Sequence, residues 1–111
     1  MVIGLKDPLA VAGIRWLPES LGGRSSGPPT APVYAATAMF PGSQTALLSI
    51  LLQHIGAQPD GSALVNIGFL VPDLARPHLH LGTELLITEG PTIVAHAIIR
   101  ELLPAGAVAG P

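Results

Sequence analysis

The residues best suited to chemistry are two histidines and a carboxylate in one short stretch, His78-Leu79-His80 followed by Glu84. Imidazole nitrogens and a carboxylate oxygen make up many transition-metal sites. In a strand, side chains two apart share a face, so His78 and His80 could reach one ion while Glu84 supplies an oxygen ligand. Pro77, just before the pair, points instead to a loop, in which case both histidines are exposed loop side chains. Other chemistries lack a pattern. Ser20, Ser25, Ser26, Ser43, Ser49 and Ser62 accompany four histidines, but no Gly-x-Ser-x-Gly elbow is present. The sole lysine, Lys6, has no glycine-rich loop before it, which excludes the common phosphate cradle. Cysteine is absent, so disulfides and thiolate metal sites are excluded.

Composition bounds the elements that must position such residues. A length of 111 residues fits one domain with one core. The chain has 13 glycines and 12 prolines, about twice the ordinary share, which forbids long helices and suits short strands joined by turns. Charged residues are 11% and apolar residues 49%, so apolar surface is expected to remain for a protein partner or self-association. Net charge is −2, and Lys6, Arg15, Arg24, Arg76 and Arg100 are scattered, unlike the dense basic patch of a phosphate-binding protein. No apolar run spans a bilayer, and Lys6, Asp7 and Pro8 break any signal-peptide pattern, so the expected compartment is the cytoplasm.

Along the chain, residues 1–9 read as a lead, 10–103 as the folded domain and 104–111 as a frayed Ala/Gly/Pro tail. Residues 10–17 alternate with period two and predict a strand, with Ala12, Ile14 and Trp16 on one face. A polar loop over 18–32 follows, then a strand over 33–40. Residues 45–55 are ambiguous: Leu47, Leu48, Leu51, Leu52 and Ile55 also fit one face of a helix. Asp60-Gly61 predicts a turn, 63–71 a buried strand and 72–81 a connecting loop. Strands over 83–89 and 92–102 flank a tight hairpin at Glu89-Gly90-Pro91.

Two families share parts of these patterns. His78-x-His80-x-x-x-Glu84, with Gly90 beyond, resembles the first metal motif of the cupin barrels. That resemblance implies a small metal-dependent barrel enzyme holding its ion on His78, His80 and Glu84. A cupin also needs a further histidine on a later strand pair, and His96 comes too early for it. The second likeness covers nearly the whole chain, from about Val11 to Leu102. Its two blocks are Ala12-Gly-Ile-Arg-Trp-Leu-Pro-Glu-Ser-Leu-Gly22-Gly23-Arg24 and Leu81-Gly-Thr-Glu-Leu-Leu-Ile-Thr-Glu89-Gly90, the latter continued by Ile93 to Ile99. Together they resemble the C-terminal β-barrel domain of elongation factor Tu and related translational GTPases.

This resemblance implies an all-β fold, a six-stranded antiparallel closed barrel, which would make 45–55 partly strand. It also implies a stand-alone, non-catalytic binding module that needs no cofactor and no metal. In that family the domain contacts aminoacyl-tRNA and the neighbouring GTPase domain, and the matching positions here are Gly23, Arg24, Glu89 and Gly90. The family's basic residues after Gly-Gly-Arg and after the Glu-Gly turn are replaced by Ser25, Ser26 and Gly27 and by Pro91 and Thr92. The implied tRNA affinity is therefore weak, and a protein partner is favoured. Arg24 also reads as a structural arginine that pins its loop to the barrel wall.

Overall fold

Ala10, Ala12 and Ile14, two residues apart, are each fully buried, as a strand with one face on a core requires. The computed structural model describes residues 5, 7–25, 27–42 and 47–104. They form β1 (Ala10–Trp16), a 3-10 turn (Glu19–Leu21), β2 (Tyr34–Met39), β3 (Leu48–Ala57), β4 (Ala63–Phe69), a one-turn helix α1 (Pro72–Ala75), a second 3-10 turn (Arg76–His78), β5 (Glu84–Glu89) and β6 (Thr92–Leu102). Every strand pairing is antiparallel, and the order β1-β4-β3-β2-β5-β6 closes on itself as a six-stranded barrel. Closure pairs every strand on both sides, which matters in a chain with few charges to guard an edge.

The interior is narrow, and the sequence matches it by setting small residues among large ones. Ala10, Ala12, Ala38, Ala95 and Ala97 are buried beside Ile14, Ile50, Leu52, Val65, Ile67, Leu85, Ile87 and Ile99. Each large side chain removed from water contributes about 1.5–3 kcal/mol. Register shifts at Val11/Ala12, His54/Gly56 and Ile87/Thr88 bend the strands around the closed sheet. The rim is tied as well: the Leu9 N–H donates to the Ile67 carbonyl (2.7 Å) and the Leu103 N–H to the Leu9 carbonyl (3.0 Å).

The ambiguous run resolves as a strand. Leu48, Ile50 and Leu52 enter the core, while Leu47 and Ile55 are 50% and 47% exposed. The helical reading left Ile50 off its apolar face, whereas the barrel places it at the centre of the core. Cross-strand pairing with β2 and β4 decided what local periodicity could not. The connector 72–81 is more ordered than a loop: Pro72, fixed at a helical φ, starts α1, and Arg76–His78 continue as a 3-10 turn. Likewise, the 18–32 loop opens with a 3-10 turn. Within the lead, Leu5, Pro8 and Leu9 are buried, and the Leu5 side chain covers Gly68 on the outside of β4. Residues 105–111 of the expected tail lie outside the described residues, as do 45 and 46. No helix among the described residues is long and apolar enough to cross a membrane.

Candidate functional site

The turn after β1 delivers Arg24. Its backbone winds tightly: the Leu21 and Gly23 N–H groups both donate to the Pro18 carbonyl (2.9 Å each), and Gly22 N–H donates to the Glu19 carbonyl (3.0 Å). Gly22 sits at φ +93°, a left-handed conformation that side chains resist. Gly23 is required for a different reason: a Cβ there would lie 1.8 Å from the Leu17 carbonyl oxygen. The Gly-Gly pair thus makes a turn in which a side chain is strained at position 22 and sterically excluded at position 23.

Arg24 then meets the opposite hairpin. Its Nε donates to Glu89 Oε2 (2.8 Å), and Nη1 donates to the Gly27 carbonyl (2.5 Å). The guanidinium carbon is 5.4 Å from the centroid of the Tyr34 ring, and the Tyr34 hydroxyl donates to the same Glu89 oxygen. Burial raises the Tyr34 pKa, and the hydrogen bond and negative charge of Glu89 raise it further, against a smaller opposing effect of Arg24. Glu89 is held at the end of β5, opposite Thr92, by the hairpin in which Gly90 adopts φ +59°. Gly23, Arg24, Glu89 and Gly90 thus form two backbone turns joined by one ion pair. With side chains 23% and 40% exposed, the pair contributes about 1 kcal/mol.

Sequence reasoning missed the aromatic neighbours. Trp16 packs edge-on against Tyr34 (5.6 Å between centroids) and stacks on His54 (5.8 Å), while its Nε1 donates to His54 Nε2 (3.1 Å). Partial burial lowers the His54 pKa. Trp16, Tyr34 and His54 come from three strands, so no local spacing links them.

The suspected metal residues are placed differently. His78 lies in a 3-10 turn and His80 in the coil after it, so the same-face geometry of a strand does not apply. The His78 ring stacks on Phe40 (4.8 Å), His80 Nε2 lies 3.1 Å from the Pro77 carbonyl, and Glu84 Oε2 lies 4.0 Å from Nδ1 of His96. All three line an open cleft of about 460 Å³. Among the described residues, no group of three or more His, Cys, Asp or Glu side chains is arranged to hold a metal ion.

The arginines are largely committed within the chain. Arg15 pairs with Asp60 (3.4 Å), Arg24 with Glu89 and Arg76 with Asp73 (3.8 Å). Apolar side chains, in contrast, face outward together: Leu47, Leu70, Val71 and Leu74 line a groove of about 220 Å³ and are each at least half exposed. The chain matches no protein-family model, no curated protein and no solved structure.

Proposed function

We propose that this barrel is a non-catalytic binding module whose partner is a protein, the role implied by its resemblance to the C-terminal barrel of elongation factor Tu. One observation carries the reading: three of the four arginines face the chain's own carboxylates, while four large apolar side chains lie open around one groove. Phosphate binding gains by releasing counterions from free cations, whereas apolar association gains by removing surface from water. The balance of this surface favours the second. In the same reading Arg24 is a pin, with Glu89 and Tyr34 as its socket, and tRNA is at most a weak ligand.

The test compares proteins captured from the native cell by the wild type and by a Leu70→Ser/Leu74→Ser variant. A partner identified with the wild type and lost with the variant supports the reading. RNA recovered in stoichiometric amount and unaffected by the variant contradicts it.

A further inference from the structure

Away from the Arg24 turn, the outer faces of β1 and β6 form an open groove of about 360 Å³, within the range of small-ligand sites. Its floor is Gly13, which pairs with Ile98 of β6 and Leu64 of β4 and leaves bare backbone between them. The Arg100 guanidinium lies across this gap: a Cβ at position 13 would fall 2.7 Å from its Nε and 3.1 Å from its Nη2. A glycine at 13 is therefore what lets Arg100 lie flat in the groove.

The charges around Arg100 are already assigned. Arg15 donates to the Asp60 carbonyl (3.2 Å) and pairs with the Asp60 carboxylate (3.4 Å). Hydrogen bonds from the Ser62 hydroxyl (2.6 Å) and N–H (3.0 Å) keep that carboxylate below its usual pKa, helped by Arg15 and, through space, Arg100. Glu84 faces His96. Arg100 itself makes no hydrogen bond and no ion pair within 4.0 Å among the described residues. Beside it Ile98 is 46% exposed, and Leu17 adds a second apolar wall.

We propose that this groove binds a monocarboxylate with a short branched aliphatic tail, the carboxylate on Arg100 and the tail on Ile98 and Leu17. A planar guanidinium matches a carboxylate through two parallel hydrogen bonds. Asp60 and Glu84 also line the groove, and their carboxylates repel a dianion such as phosphate more strongly than a monoanion. The proposal stands independently of the protein-binding role.

The probe is 4-methylpentanoate, titrated into the full chain and followed by amide NMR. Comparators are its uncharged amide, 4-methylpentanamide, and inorganic phosphate. Saturable shifts centred on Gly13, Ile98 and Arg100 are expected, with Kd on the order of 1 mM. Arg100→Ala, at an exposed position, should weaken binding roughly tenfold or more, and Arg100→Lys should recover only part of the affinity. Arg24→Ala, outside the groove, should leave it unchanged. Equal binding of the amide, phosphate binding as tight as the acid, no saturation by about 10 mM, or full affinity in Arg100→Ala would each overturn the proposal.

Discussion

Replacing Gly23 by Ala tests how the Arg24 turn is built. The added Cβ would lie 1.8 Å from the Leu17 carbonyl oxygen, 2.5 Å from its carbon and 2.9 Å from the Pro18 oxygen, all of them backbone atoms. No side-chain rotation relieves such a clash, so the turn has to open. Opening breaks the Gly23 N–H bond to Pro18 and moves Arg24 from Glu89. Losing one backbone hydrogen bond at about 1 kcal/mol and the charge-assisted pair at a similar value gives a destabilisation of roughly 2 kcal/mol. Gly22→Ala meets nothing within 4 Å and carries only the left-handed strain at φ +93°, about 1–2 kcal/mol. Urea unfolding followed by the fluorescence of the only tryptophan, Trp16, measures both. Because Gly23→Ala and Glu89→Gln disrupt the same contact, the double variant should be less destabilised than the sum of the singles. A Gly23→Ala protein within about 0.5 kcal/mol of wild type, or strict additivity with Glu89→Gln, would refute the reasoning.

The remaining predictions use the same groups. Tyr34 is the only tyrosine, so phenolate absorbance reports it alone; it should titrate well above pH ~10, and Glu89→Gln should move it back toward that value. Because its folded pKa is raised, the associated stability is fully present below the unfolded value near 10 and is lost as pH rises beyond it, a loss that Tyr34→Phe should abolish. His54 is shifted the other way: its folded pKa is depressed, so stability is intact above the unfolded value of about 6.5 and falls as acid protonates it. Protonation of Nε2 also removes the acceptor for Trp16, so the tryptophan fluorescence should change over that acidic range in the wild type and not in His54→Gln. Ile50→Ala should cost about 2–5 kcal/mol by leaving a cavity in the closed barrel, measured by the same urea titration.

Much of the barrel was legible because its strands carry their own punctuation. The alternation over 10–17 marks β1, and Asp60-Gly61 and Glu89-Gly90 mark the turns before β4 and β6. Residues 45–55 were not legible locally, since leucines at 47, 48, 51 and 52 satisfy a helical stripe as well as a strand; pairing with β2 and β4 selected the strand. At the candidate site, Gly22-Gly23-Arg24 and Glu89-Gly90 stand out as motifs, yet their joining depends on barrel closure. Tyr34, Trp16 and His54 carry no spacing that signals a cluster, and Arg100 stands out only once Gly13 is seen beneath it. For His78 and His80 the sequence offers both a shared strand face and, from Pro77, a loop; the structure places His78 in a 3-10 turn and His80 in the coil after it, outside any strand.

Titrating labelled tRNA with the purified chain across a salt series tests the central claim most directly. With three of its four arginines committed to Asp60, Glu89 and Asp73, the surface offers one or two phosphate contacts, so log affinity should fall with log salt at a slope of about −1 to −2. At physiological salt the Kd should be no tighter than the non-specific range of roughly 10⁻⁴ to 10⁻⁶ M. Tight binding that survives physiological salt and disappears in Arg24→Ala would contradict the account, making Arg24 an RNA contact and not the pin of its own loop.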